Sequence, residues 1–177
     1  MDTSERILRE LARGKPHHIR ELARLTKLHP TTVTTAVDKL VNGSILLKRH
    51  NSEVNRTYVQ FAANLKAKNQ RVRINITRLI ESGLIDALNE QYAFPTIFLF
   101  GSIAKGENHS TSDVDLFIIA NDTSNFDVTM YETKLGYPIQ MFVHTQSEFK
   151  KLCETSPQLI NNVLNGIKLD GYVEVFE

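Results

Sequence analysis

Two short apolar runs, with a polar segment between them, constrain this chain more than any other feature. Thr96–Phe100 reads TIFLF, and Val114–Ala120 reads VDLFIIA. Short apolar runs bounded by turn residues read as buried strands. The first run ends in Gly101-Ser102, and Asp113 and Asp115 stand at the start of the second. Side chains two apart in a strand point to the same face. Two carboxylates placed side by side repel each other, and burial raises the cost of ionising them. A core rarely keeps such a pair, whereas a divalent cation between them resolves the conflict. Hard oxygen donors of this kind suit Mg2+.

The chain has 177 residues, a length that allows one domain or two small ones. Its net charge of +1 hides an asymmetry. Residues 1–60 carry 11 Lys and Arg against 6 Asp and Glu, whereas residues 93–177 carry 5 against 11. A basic first third and an acidic second half suggest two modules with different partners. The single Cys153 excludes an intramolecular disulfide framework, and no basic partner beside it suggests a nucleophile. No apolar run approaches the ~18 residues that span a bilayer. The opening MDTSERILRELARG reads as an amphipathic helix without the apolar stretch of a signal peptide. A soluble, cytoplasmic protein without membrane contact is the expectation.

Residues 1–61 form the first expected module. Ile7, Leu8 and Leu11 fall at helical spacing, and Gly14 and Pro16 end that helix. A second short helix fits His18–Leu25. Pro30 suits the first turn of a third, in which Val33, Ala36, Val37, Leu40 and Val41 build one apolar face. Gly43 is placed to close that helix in a left-handed conformation. Ile45–His50 and Arg56–Phe61 then read as a hairpin with a polar tip. Three helices followed by a hairpin resemble the winged helix-turn-helix fold. The opposite face of the third helix offers Thr31, Thr32, Thr34, Thr35 and Lys39. Threonine is a poor helix former, so these residues are not there for helix stability. Their hydroxyls suit phosphates or base edges, and their methyls suit thymine. Lys48, Arg49 and Arg56 on the wing add phosphate contacts. DNA is the expected partner, with a protein-binding winged helix as the alternative. Helix-turn-helix readers usually act as dimers on paired half-sites, so a homodimer is expected.

Residues 62–92 read as a helical connector. Ile76, Ile80, Leu84 and Leu88 recur every fourth residue, with a break near Ser82-Gly83. Val72, Ile74 and Ile76 also alternate, which leaves an extended start open. Residues 93–177 form the second expected module. Its tail reads as two helices, the second from Pro157 to Leu164, and a short strand.

The segment FGSIAKGENHSTSDVDLFII resembles the signature of the polymerase-beta-type nucleotidyltransferases, in particular the small, minimal proteins of that superfamily. The pattern is Gly-Ser, ten residues, then Asp-x-Asp, and here it falls between two predicted strands. The fold class implied for the whole chain is α+β, a winged helix joined to a small mixed-sheet nucleotidyltransferase-like domain. The resemblance implies that Gly101 and Ser102 hold a nucleoside triphosphate. It implies that Asp113 and Asp115 are catalytic and hold one or two Mg2+ ions. Lys105 reads as a surface lysine, with contact to the phosphates as the alternative.

Active members of the family supply a third carboxylate from a later strand. Here the corresponding position in YPIQMFVHT is Gln140, on a hairpin expected from Asp127–Lys134 and Tyr137–His144. Glutamine cannot act as a general base for an acceptor hydroxyl. Asp127, Glu132 and His144 are the nearby alternatives. The first reading is a Mg2+-dependent enzyme moving a nucleoside monophosphate from a nucleoside triphosphate to a hydroxyl, with a protein partner such as a toxin as the candidate acceptor. The second is a DNA-binding regulator or antitoxin-like protein whose second domain binds nucleotide or partner without turnover.

Overall fold

The computed structural model describes residues 2–174. The chain divides into two compact units. One runs up to Asn75 and takes in Gly106–Ser110; the other comprises Ile76–Lys105 and the chain from Thr111 onwards. The fold class is α+β. None of the helices among the described residues is long and apolar enough to cross a membrane.

The first unit is a winged helix. Helices α1 (Thr3–Ala12), α2 (Ile19–Thr26) and α3 (Pro30–Asn42) precede the hairpin of β2 (Leu46–Asn51) and β3 (Arg56–Phe61). A two-residue strand, β1 (His17–His18), pairs with β3 and gives the antiparallel order β1-β3-β2. Local chemistry fixes where α2 and α3 begin. The His18 ring accepts from the Glu21 N–H, and the His29 ring accepts from the Thr31 N–H, each satisfying a donor left over at a helix start. Ile7, Leu11, Leu22, Val33, Val37 and Val59 form the centre of the core. Ile74 of α4 (Leu65–Glu81) joins them.

The segment Gly106–Ser110 belongs to this unit through specific contacts. The Asn108 side-chain amide donates to the Ala12 carbonyl at 2.8 Å, and the Asn108 carbonyl accepts from the Asn75 amide at 3.1 Å. Both asparagines are buried, so this bonding offsets the cost of removing them from water.

Two expectations change here. Gly43 does not take the left-handed conformation: its φ is −76°, and Ser44 takes the positive φ of 59° instead. The helix therefore ends one residue later than its glycine suggested. The alternation of Val72, Ile74 and Ile76 does not produce an extended start, because all three lie inside α4. The strand β1 carries no pattern of its own. Two residues are too few for a period, and the strand exists only because β3 is there to pair with.

In the second unit, α5 (Leu84–Tyr92) leads into β4 (Thr96–Phe100) and the single turn α6 (Gly101–Ala104). Next come β5 (Val114–Ile119), α7 (Thr129–Leu135) and β6 (Ile139–His144). Helices α8 (Gln146–Thr155) and α9 (Pro157–Leu164) and strand β7 (Ile167–Asp170) complete it. The sheet order is β6-β5-β4-β7, with β4 antiparallel to both neighbours and β5 parallel to β6. Both faces are covered, which is why the central strands are apolar throughout. Ile97, Leu99, Leu116 and Ile118 pack on one side with Leu84 and Leu88 of α5 and Tyr131 and Leu135 of α7. Phe98, Phe100, Phe117 and Ile119 pack on the other with Phe149 of α8 and Ile160 and Val163 of α9.

The hairpin expected from Asp127–Lys134 and Tyr137–His144 is not formed. Its first half is helix α7, and β6 runs parallel to β5. Parallel neighbours need a crossover, which α7 supplies. Asp127 caps this helix by accepting from the Thr129 N–H and hydroxyl. Leu135-Gly136 is a helix end, with Gly136 at φ +74°, and not a hairpin turn. The break near Ser82-Gly83 is present between α4 and α5, with Gly83 at φ +81°.

Phe149 is fully buried and meets Phe117 edge-on, with ring centroids 6.2 Å apart. Phe149→Ala is expected to destabilise the second unit by about 3–5 kcal/mol, read from urea unfolding.

Candidate functional site

Register places the acidic pair. On β5 the odd-numbered residues share the face of Phe117, so Asp115 lies on that side, at the end of the strand where it begins. Phe100 of β4 and Gln140 of β6 are the cross-strand partners of Asp115. Phe100 and Phe142 meet at a tilt on this face, with ring centroids 5.8 Å apart. Asp113 precedes the strand, and its carboxylate accepts from the Gln140 side-chain amide at 2.6 Å. Asp113, Asp115 and Gln140 are thus brought together.

Gly101 closes the other side. It has a φ of +72°, and a Cβ there would lie 2.0 Å from Oδ2 of Asp115. Only glycine permits both this backbone conformation and this approach. The Ser102 hydroxyl donates to the Ser112 hydroxyl at 3.1 Å, fixing the turn after β4 to the residue before Asp113. Gly101, Ser102, Asp113 and Asp115 therefore share one end of the sheet.

Burial, and then the neighbouring Asp113 carboxylate, raise the Asp115 pKa above the ordinary aspartate value. The donor set fits one Mg2+. Two partly exposed carboxylates in mutual repulsion gain from a cation, and Mg2+ completes its shell with water and substrate phosphate. The set does not fit a pair of ions held by three carboxylates. Gln140 stands at the third position with its amide turned to Asp113, and no cluster of three His, Cys, Asp or Glu suited to a metal occurs among the described residues.

The alternatives to Gln140 are occupied elsewhere. Asp127 caps α7, and Glu132 accepts from the Ile139 N–H at 2.9 Å. His144 pairs in register with Ile119, four residues along from the Gln140–Asp115 pair, about 13 Å at the strand rise. There it packs on Phe117 and lies 3.9 Å from Glu148.

In the first unit, Thr31, Thr32, Thr35 and Lys39 are exposed on α3, and Thr34 is half-buried. Three of the hydroxyls have local partners. Thr34 donates to the Pro30 carbonyl at 2.9 Å, Thr35 to the Thr31 carbonyl at 3.1 Å, and the Thr31 hydroxyl lies 3.0 Å from the His29 ring. The wing cations separate. Lys48 opposes Val59, so it shares the sheet face turned to the core, and it pairs with Asp38 of α3. Arg49 opposes Tyr58 on the outer face, and Arg56 alternates onto that same face. Sequence reading grouped the three, because alternation without register does not say which face is buried.

The second unit has the sheet and acidic turn of a nucleotidyltransferase-like domain. Residues 83–169 match the family model for polymerase beta nucleotidyltransferases. Among curated proteins, none matches the chain. Among solved structures, a point mutant of Lactococcus lactis ZitR is similar at 16% identity and a TM-score of 0.42. That likeness covers 52% of this chain and 62% of the other, and it carries no weight for function.

Two outcomes follow from the site. Gly101→Ala, by pushing Asp115 aside, is expected to abolish saturable Mg2+–nucleotide binding in calorimetric titration while leaving the circular dichroism spectrum native. Asp115→Asn is expected to raise the melting temperature of the second unit by about 2 °C at pH 7 without divalent cations. The sign follows from the raised pKa. Stability is full when Asp115 is protonated and falls as pH rises through its folded pKa, so the gain from Asn shrinks towards pH 3 or below, roughly the ordinary carboxylate range.

Proposed function

We propose that the chain is a DNA-binding regulator whose second unit binds a Mg2+–nucleoside triphosphate without efficient turnover. The observation that carries this reading is the Gln140 amide donating to Asp113 where a third carboxylate would act as base. Gly101 lets the Asp115 carboxylate lie against the turn after β4, and the Ser102 hydroxyl would turn from Ser112 to donate to a phosphate oxygen. Asp113 and Asp115 would hold the ion. When bound, the ion neutralises triphosphate charge and fixes the orientation of the phosphates. Removal of a general base commonly lowers a rate by about 10²–10⁴-fold, so binding outlasts chemistry in such a site. The α3 face, Thr31, Thr32, Thr34, Thr35 and Lys39 with Lys48 beside it, is the DNA-binding surface in this reading. Two copies on paired half-sites are the expected assembly, in the cytoplasm.

A second reading keeps turnover, and the retained Asp113–Asp115 pair favours it. An acceptor hydroxyl oxygen, on a protein such as a toxin partner, would attack the α-phosphorus. The bond to the bridging oxygen would break, pyrophosphate would leave, and the hydroxyl proton would pass to water. Labelled nucleoside triphosphates with Mg2+ and cell extract separate the readings. The regulator reading expects saturable binding, lost in Asp113→Asn, with no transfer of label. Transfer by the wild type that disappears in Asp113→Asn establishes the enzyme, and absence of any nucleotide binding defeats both. Gln140→Asp is expected to increase Mg2+ affinity and to produce or accelerate transfer.

For DNA, the logarithm of affinity for duplex is expected to fall linearly with the logarithm of salt concentration. Lys39→Ala should reduce the steepness of that fall by about 1 in fluorescence anisotropy.

A further inference from the structure

The outer face of the winged-helix sheet is separate from the α3 surface and is unusually cationic. Tyr58 stands at its centre, half-buried, between Arg49 on the neighbouring β2 and His18 on the neighbouring β1. The His18 ring meets Tyr58 edge-on at 6.4 Å. Two grooves share Tyr58, Lys15 and Pro16 as a common wall. One, of about 620 Å³, reaches Arg49 and Gln60. The other, of about 520 Å³, reaches Arg20, Arg24 and Arg56.

Arg20, Arg24, Arg49 and Arg56 are exposed, and none has an acidic partner among the described residues. Acids near the grooves do little to neutralise them. Glu21 lies 3.1 Å from His17 and 3.9 Å from Lys15, and Glu53 belongs to the hairpin tip. Guanidinium groups left unpaired around a tyrosine supply the two contacts that an unstacked nucleic-acid strand takes: charge for its phosphates and a π-face for its bases.

We propose that this outer sheet face, with Tyr58 as stacking platform and Arg20, Arg24, Arg49 and Arg56 as phosphate contacts, binds a single-stranded nucleic acid. It is a second nucleic-acid surface, independent of the nucleotide site and of the duplex surface on α3. The two surfaces lie on opposite sides of the wing sheet because Lys48 and Arg49 point to opposite faces.

The test uses the full chain and fluorescent twelve-nucleotide strands of mixed sequence, one RNA and one DNA, with a duplex of the same sequence. Anisotropy is measured between about 50 and 200 mM salt. Saturable single-strand binding is expected, and the tighter of the two strands identifies the natural ligand as RNA or DNA. Replacing the four arginines by alanine should reduce the salt slope by about 3, at about 0.7 per phosphate for single strands. Tyr58→Leu should weaken binding about tenfold, whereas Tyr58→Phe should retain it, because stacking needs the ring and not the hydroxyl. Lys39→Ala should leave single-strand affinity unchanged. The proposal is overturned if neither strand binds at the lowest salt, if the four-arginine variant binds like the wild type, or if Lys39→Ala weakens single-strand and duplex binding alike. The arginines are exposed and unpaired, so their removal does not threaten folding, and circular dichroism checks this for every variant.

Discussion

Charge repulsion between Asp113 and Asp115 is the constraint around which one end of the second unit is arranged. The pair sits where β5 begins, on the face lined further along by Phe117 and Ile119. Burial and the Asp113 charge together raise the Asp115 pKa. The surroundings answer this cost from several directions. Gly101 gives up its side chain so that the Asp115 carboxylate can lie against the backbone. Gln140 donates to Asp113.

The sheet makes this arrangement possible through its mixed topology. Antiparallel pairing of β4 with β5 puts Phe100 opposite Asp115, so the turn after β4 arrives beside the acids. Parallel pairing of β5 with β6 puts Gln140 opposite Asp115 from the other side. A hairpin between β5 and β6 would have reversed β6 and placed a different residue there. The crossover through α7 is thus part of the site, because it sets the direction in which β6 runs past β5.

The winged helix uses its sheet differently. One face carries Leu46 and Val59 into the core, and Lys48 follows them to reach Asp38. The other carries Tyr58 and the unpaired arginines. A hairpin of twelve strand residues, with β1 at its edge, therefore separates two surfaces of different chemistry. The α3 face is small and polar, with four threonines of which three have hydroxyls engaged locally. The outer face is cationic and aromatic.

Much of this was legible in the amino-acid sequence because it rests on short-range rules. Apolar period and turn residues marked α1, α3, β4, β5 and α9. The spacing of Gly101-Ser102 and Asp113-x-Asp115 announced the acidic turn, since residues two apart in a strand share a face wherever that strand is placed. The family resemblance pointed to Gln140 as the residue at the third position, and the register of β6 puts it opposite Asp115. The rest was decided by partners distant in the chain. Gly136 is compatible with a hairpin or a helix end, and only the parallel seat of β6 selects the helix. Two residues at His17–His18 have no period, and pairing with β3 makes them a strand. Alternation sorts Lys48 from Arg49, but burial of Val59 decides which of them faces the core. Composition and spacing fix what a residue can do locally; tertiary structure fixes its neighbours, and neighbours determine whether a carboxylate is paired, a cation is free or a glycine is required.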